Sequence, residues 1–143
     1  FIVGSNDEER FRSFAKRCGI DDRVFFLGAR NDVPHLMAAA DLLIHPARSE
    51  ASGIVLLEAL CCGTPVLCSG NCGYAHYVHE AGCVVLLRPF RQSHLNRALK
   101  LILTVPGNLE ELQQSVIDAG FRSDQFRRSD VIADVIVKKL SLS

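Results

Sequence analysis

DLLIHPARSEASGIVLLEALCCGTPVLCS, residues 41–69, contains two short apolar runs separated by a loop and a longer apolar segment. The short runs, Leu42–His45 and Val66–Cys68, have the length and composition of buried strands. The longer segment, Gly53–Cys62, predicts a helix because it ends at Gly63-Thr64-Pro65, where glycine stops a helix and proline cannot continue it. A strand, a helix and a second strand in this order predict a parallel pair.

The rest of the chain repeats this alternation. Further strands are predicted at Phe1–Val3, Val24–Leu27 and Val84–Leu87. A first helix is predicted from the cap Asn6 to the stop at Cys18-Gly19, with Asp7, Glu8 and Glu9 in its first turn. A second runs from Asp32 through Pro34 to Ala40. Further helices are predicted at Gln92–Leu103, Asn108–Ala119 and Asp130–Leu140. This alternation predicts an α/β fold, one domain over residues 1–143, with a parallel sheet flanked by helices on both faces in a Rossmann-like architecture.

Three polar or glycine-containing segments follow predicted strands: Gly28–Asp32, Pro46–Ser52 and Ser69–Gly73. Ligands of open parallel sheets bind beyond the carboxyl ends of the strands. We therefore expect these three segments to converge at one edge of the sheet and to form the binding site there.

Composition excludes several other classes of protein. Hydrophobic residues make up 48% of the 143 residues, and 16 basic side chains balance 16 acidic ones. With no net charge, the chain has no overall field to attract nucleic acid. No apolar run approaches the roughly 20 residues that a membrane-spanning helix needs.

The six cysteines lie mostly within apolar segments, where a thiol behaves as a small hydrophobic group. Small disulfide-rich scaffolds lack such continuous helices. The pattern therefore predicts free thiols in a reducing cytosol. No C-x2-C pair occurs, so we expect no structural zinc site and no metal.

Glu58 is the only ionisable side chain with a carboxylate or ammonium group between Gly53 and Cys62. A helix that is apolar on every side is buried, and an unpaired buried carboxylate costs several kcal/mol. One interpretation is that Glu58 faces a cleft and accepts hydrogen bonds from ligand hydroxyls. The other is that it lies on a small exposed strip or pairs with a nearby arginine. The sequence leaves both open.

Glu50 precedes this helix, and Gly53 lies at its first turn. The N-terminus of a helix presents N–H groups without intrahelical acceptors and a positive dipole end, which suit a phosphate. A glycine there lets an anion approach closely. A diphosphate bound at this point would have Glu50 on one side and Glu58 further along the helix. The simpler alternative for Glu50 is a solvated loop acid.

Together these residues resemble glycosyltransferase family 4, which consists of retaining enzymes with the two-domain GT-B fold. Two glutamates with seven residues between them are the hallmark of that family, and Glu50 and Glu58 have this spacing. The resemblance continues through the helix, stop and strand of Glu58–Ser69 and includes the preceding strand, Asp41–Pro46. It implies that the chain is the nucleotide-sugar-binding, C-terminal half of a GT-B enzyme.

The resemblance also implies roles for individual residues. Glu58 would bind the ribose hydroxyls of UDP, Glu50 would be the catalytic glutamate that orients the donor glucose, and Arg30 would lie beside the uracil. Backbone groups at Ser52, Gly53, Ile54 and Val55 would hold the diphosphate, and the donor pocket would include Gly73 and Tyr74. For Tyr74, packing in the core is an equally good interpretation. The family needs no metal, because basic residues and the helix terminus stabilise the departing diphosphate.

One branch of the family resembles the chain more closely over about residues 1–100: the bacterial enzymes that transfer glucose from UDP-glucose to a heptose of the lipopolysaccharide inner core. The segments that carry this likeness are Gly28–Val33, Leu36–Asp41 and Cys72–Tyr77, together with Ala51, where the wider family usually has glycine. The resemblance implies a lipid-linked saccharide acceptor bound by an N-terminal domain. Because a strand begins at Phe1, we expect a fragment that lacks that domain, the first part of this one and transferase activity of its own.

Other interpretations stay open. The transferase could use another sugar or acceptor, or the chain could be a non-catalytic nucleotide-binding module. A dinucleotide-dependent oxidoreductase is disfavoured because no turn contains G-x-G-x-x-G. Basic residues near the C-terminus would allow peripheral contact with the cytoplasmic face of the inner membrane, although solvated helix surface is the simpler interpretation. They are Arg122, Arg127, Arg128, Lys138 and Lys139.

Overall fold

The computed structural model describes residues 1–4 and 7–122, which divide into two compact units. The first unit contains residues 1–33, and the second begins at Pro34. The helix predicted at Asp130–Leu140 and the cap predicted at Asn6 lie outside the described residues, as do the basic residues after Arg122.

The first unit is a strand, a helix and a second strand: β1 (Ile2–Val3), α1 (Glu8–Arg17) and β2 (Phe26–Gly28). The two strands pair in parallel, and the Ile2 amide donates to the Phe25 carbonyl at 2.8 Å. α1 begins one residue later than expected. Asp7, which the sequence placed in the first turn, is instead the residue before the helix, with a left-handed φ of 53°. Its side chain makes no cap hydrogen bond.

The second unit continues the alternation of helices and strands. Its elements are α2 (Val33–Ala38), β3 (Leu43–His45), α3 (Ile54–Cys61), β4 (Val66–Ser69), α4 (Ala75–Glu80), β5 (Val84–Leu86), α5 (Gln92–Thr104) and α6 (Asn108–Arg122). The first residue of α2, Val33, is the last residue of the first unit. The strands form a parallel sheet in the order β3-β4-β5. Within the described residues, no helix has the length and apolar character needed to cross a bilayer.

The five predicted strands and their parallel pairing are confirmed. Their hydrogen bonds form a two-stranded and a three-stranded sheet, whereas the sequence predicted one sheet. Apolar alternation identifies strands but does not specify which strands become neighbours. α4 was not predicted, because a six-residue helix in which only Ala75 and Val78 are buried is too short to show a helical period.

Helices cover both faces of the three-stranded sheet, as predicted. Every residue of β4 is buried, and successive residues of a strand point to opposite faces. On one face, Leu67 and Leu86 pack with Leu95 and Ile102 of α5. α3 and α4 also contact β4, and α3 contributes four buried side chains: Leu56, Leu57, Ala59 and Leu60. This packing holds α3, and therefore its N-terminus, in a fixed position relative to the strand ends.

Candidate functional site

The loops that follow β3 and β4 pair with each other beyond the ends of the strands. Glu50 and Cys72 form an isolated parallel bridge, in which the Glu50 amide donates to the Asn71 carbonyl at 3.3 Å. The Gly73 amide in turn donates to the Glu50 carbonyl at 3.2 Å. The predicted meeting of Pro46–Ser52 with Ser69–Gly73 is therefore confirmed.

Gly73 allows this close approach of the two loops. A Cβ at this position would overlap the carbonyl oxygen of Ala51, so only glycine fits without moving the backbone. The next residue, Tyr74, donates its amide to the Ser52 carbonyl at 2.9 Å. Its ring is half-buried and lies 6.0 Å from the ring of Tyr77. Gly73 and Tyr74 thus contact the Glu50 loop through their backbone amides. Their place in a donor pocket, which the resemblance implied, stays a prediction.

Gly53 is the residue from which α3 starts. It has a left-handed φ of 74°, and a Cβ there would lie 3.3 Å from both Cys72 Cβ and Leu56 Cδ1. Conformation and crowding therefore both favour glycine at this position. The predicted helix start at Gly53 is shifted by one residue, since Gly53 is the cap and Ile54 the first helical residue.

The N-terminus of α3 has no acidic side chain in its first turn and no side-chain cap from Gly53. The first N–H groups of any α-helix lack acceptors within the helix, so those of Ile54 and Val55 point out of its first turn. α3 begins directly beside the Glu50 loop, since Glu50 Cγ lies 3.4 Å from the position that a Cβ of Gly53 would take. This end of the helix combines partial positive charge with the small residues Ser52 and Gly53.

Glu58 lies on a partly exposed stripe of α3, which corrects the expectation that this helix is buried on every side. Ile54 is 36% exposed, Cys61 is exposed and Glu58 is half-buried. These three residues follow the i, i+4, i+7 spacing of one helix face. The other side chains of α3 are apolar, but only those on the opposite face of the helix are buried by packing. Glu58 therefore lies on a partly exposed strip, and its binding of ligand hydroxyls stays a prediction.

The two carboxylates act on neighbouring thiols. Burial raises the pKa of Cys72, and the Glu50 charge raises it further, while a hydrogen bond from Ser69 and the charge of Arg88 oppose that change. Burial and the Glu58 charge likewise raise the pKa of Cys62. These thiols therefore stay protonated at neutral pH. All six cysteines are free thiols, and Cys68, Cys72 and Cys83 are buried, as expected for packing residues.

Arg30 belongs to the first unit, so its position relative to α3 stays a prediction. Its guanidinium forms two hydrogen bonds with the Asp32 carboxylate, at 2.7 and 2.6 Å. The hydrogen bond and the charge of Asp32 raise the pKa of Arg30. A guanidinium held at its edge in this way keeps a planar face that suits stacking on an aromatic base.

Sequence reasoning missed the side chains that hold the Glu50 loop in place. Asn71 Nδ2 donates to the Arg48 carbonyl at 2.8 Å, and Ser69 Oγ donates to the Ala47 carbonyl at 2.5 Å. The only signal in the sequence was their place at the end of a strand or just after it. Among the described residues, no group of three or more His, Cys, Asp or Glu side chains is placed to hold a metal ion.

The fold and this edge define a Rossmann-like module in which a helix begins beside Glu50 and carries Glu58 further along. Residues 1–122 match the family model for glycosyl transferases group 1. The chain belongs to this family of glycosyltransferases, and the resemblance identified from the sequence is confirmed.

Individual relatives agree with this assignment. The chain is 50% identical over 105 residues, 73% of its length, to the lipopolysaccharide glucosyltransferase WaaG of Escherichia coli strain K12. The crystal structure of a WaaG involved in lipopolysaccharide biosynthesis superposes on 95% of the chain with a TM-score of 0.83 and 42% identity. A crystal structure of Anabaena HepE in complex with UDP-glucose superposes on 99% of the chain with a TM-score of 0.71 and 27% identity.

The chain spans only part of these relatives. The match covers 28% of the length of the Escherichia coli enzyme, 37% of the WaaG crystal structure and 40% of the HepE chain.

Proposed function

We propose that this chain is the donor-binding module of a retaining glycosyltransferase and that it binds UDP-glucose at the carboxyl edge of the β3-β4-β5 sheet. The observation that carries the proposal is the arrangement at the start of α3. A glycine that cannot be replaced without strain begins the helix, and one glutamate packs against it. A second glutamate lies on the partly exposed stripe of the same helix.

The diphosphate binds at the N-terminus of α3. The N–H groups of Ser52 to Val55 and the helix dipole neutralise part of its charge. No acidic side chain occupies the first turn, so nothing within the helix competes with an anion. When the bond between the anomeric carbon and the diphosphate oxygen breaks, this end of the helix stabilises the negative charge that develops on UDP. This stabilisation requires no metal ion.

The two glutamates bind the hydroxyl groups at either side of the diphosphate. Glu58 begins the second turn after Gly53, about 7.5 Å along the helix axis at 1.5 Å per residue, and accepts hydrogen bonds from the ribose. Glu50 precedes the helix and accepts hydrogen bonds from the hexose. Charge-assisted bonds of this kind are about twice as strong as neutral ones, and they orient the sugar as well as bind it.

The comparisons support this choice of donor. HepE, which has the same fold at 27% identity, binds UDP-glucose, and WaaG is a lipopolysaccharide glucosyltransferase. We infer that the whole protein transfers glucose to a heptose of the lipopolysaccharide inner core, with a lipid-linked saccharide as acceptor. The free thiols, Cys61 among them at the surface, fit the reducing cytoplasm. Peripheral contact with the cytoplasmic face of the inner membrane would bring the module to such an acceptor.

Calorimetric titration of the chain with UDP, UDP-glucose, UDP-N-acetylglucosamine and NAD tests the proposal. We expect UDP to bind, UDP-glucose to bind more tightly than UDP, and NAD not to bind. Addition of EDTA should leave these affinities unchanged. Equal binding of NAD and UDP, or no binding of any uridine nucleotide, would contradict the proposal. Tighter binding of UDP-N-acetylglucosamine than of UDP-glucose would instead replace glucose as the donor sugar.

A further inference from the structure

Three loops at the carboxyl edge of the second sheet are tied together by side chains that donate to backbone carbonyls. Ser69, the last residue of β4, donates to the Ala47 carbonyl, and Asn71, in the loop after β4, donates to the Arg48 carbonyl, so both reach the loop after β3. Arg88, which follows β5, donates to the Gly70 carbonyl. Each donor thus links one loop to the backbone of the loop beside it.

Asn71 holds the residues on both sides of Ser49. Its side-chain amide donates to the carbonyl of Arg48 at 2.8 Å. Its own carbonyl accepts the amide of Glu50 at 3.3 Å. A segment bound by one residue at two consecutive points has little freedom to rotate between them. The direction in which the chain enters Glu50 therefore depends on Asn71.

The side-chain chemistry at this position is specific. A backbone carbonyl requires an N–H or O–H donor, and the amide of asparagine supplies one at this short reach. Aspartate has nearly the same shape, but its ionised carboxylate has no donor and would repel the carbonyl oxygen of Arg48. Asn71 is only half-buried and lies outside the hydrophobic core, so losing its hydrogen bond removes no apolar packing.

Ser69 provides a second, independent link to the same loop. Its hydroxyl is buried and binds the Ala47 carbonyl, three residues before Glu50. This link keeps the start of the loop attached when the Asn71 bond is absent. The loss of the Asn71 bond is therefore expected to change the placement of Glu50 locally rather than to detach the whole loop.

We propose that Asn71 is a positioning residue for Glu50, and that it sets the preference of this site for a nucleotide that carries a hexose. The proposal rests on the proposed function, in which Glu50 binds the hexose and Glu58 the ribose. Because Asn71 bonds to the Glu50 loop, its effect falls on the sugar half of the donor and spares the nucleotide half.

The test compares Asn71→Asp with Asn108→Asp in the full chain. Asn108 is a matched control, since its side-chain amide also donates to a backbone carbonyl, that of Leu101 at 3.0 Å, but between α5 and α6. In Asn71→Asp we expect the ratio of UDP-glucose affinity to UDP affinity to fall about 3- to 10-fold, the loss typical of one hydrogen bond. The affinity of Asn71→Asp for UDP should stay within about twofold of that of the unchanged chain. The ratio of UDP-glucose affinity to UDP affinity in Asn108→Asp should likewise stay within about twofold of the unchanged chain.

Amide hydrogen exchange of the chain without nucleotide provides a second readout. The Glu50 amide, which donates to Asn71, should exchange several-fold faster in Asn71→Asp and at the original rate in Asn108→Asp. An unchanged Glu50 exchange rate in Asn71→Asp, or an equal change of the affinity ratio in both variants, overturns the proposal. If the unchanged chain binds no uridine nucleotide but Glu50 exchange responds to Asn71→Asp, the positioning stands and the proposed function fails.

Discussion

The side chain of Glu50 packs directly against Gly53, with its Cγ 3.4 Å from the position that a Cβ of Gly53 would take. Glu50 and Gly53, the residue before α3, are therefore neighbours in the fold. A side chain at Gly53 would therefore crowd Glu50 as well as Cys72 and Leu56. This relationship explains why the residue that begins the helix and the acid that precedes it act together in the proposed site.

Substitution of Gly53 by alanine should combine backbone strain with local crowding. A left-handed conformation costs a non-glycine residue about 1–2 kcal/mol, and the added methyl group also meets Cys72, Leu56 and Glu50. Gly63 is the matched control, since it follows the same helix with φ 76° and nothing near its missing Cβ. Urea unfolding should show both alanine variants destabilised. Only Gly53→Ala should also lose UDP affinity, and equal affinities in the two variants would refute a diphosphate at this helix end.

Glu58→Gln should weaken UDP binding about 10-fold or more, the range expected for hydrogen bonds to a charged acceptor. The change retains the shape of the side chain, removes its charge and replaces one acceptor oxygen by an NH2 donor. Glu80→Gln, at the exposed end of α4, is the control and should bind UDP normally. Calorimetry measures both affinities. A Glu58→Gln chain with unaltered UDP affinity would exclude the ribose role.

Glu50→Gln should separate the two halves of the donor. Affinity for UDP should change little, whereas the additional affinity of UDP-glucose over UDP should fall several-fold because the charged acceptor of the hexose hydroxyls is lost. Calorimetric titrations with both nucleotides measure this difference. If Glu50→Gln weakens both nucleotides equally, Glu50 acts on the nucleotide and not on the sugar.

Alkaline pH should destabilise the second unit through its buried thiols. Burial raises the pKa of Cys68 from an ordinary value near 9 to about 12. The folded state therefore binds this proton more tightly than the unfolded state, so the contribution is complete below pH 9 and decreases as the pH rises toward 12. As the pH rises from 9 toward 12, the free energy of unfolding should fall more steeply in the unchanged chain than in Cys68→Ala. Parallel curves for the two proteins would contradict the prediction.

Periodicity and stop signals in the sequence were sufficient to locate most elements. The apolar runs around residues 43 and 66 became neighbouring parallel strands, and Gly63-Thr64-Pro65 ended α3 where expected. α4 was missed because a helix of six residues contains too few buried positions to reveal its period. The spacing of Glu50 and Glu58 indicated the family, but it did not reveal that Glu58 lies on a partly exposed stripe.

The sequence by itself therefore determined the class of fold, the family and the two glutamates, because these depend on residue type and on spacing along the chain. Only the tertiary structure decided which loops touch and which side chains hold Glu50 in place. Asn71 and Arg48 are 23 residues apart, and no local pattern encodes a hydrogen bond between them. That bond exists because β3 and β4 pair in parallel and bring their following loops to the same edge of the sheet.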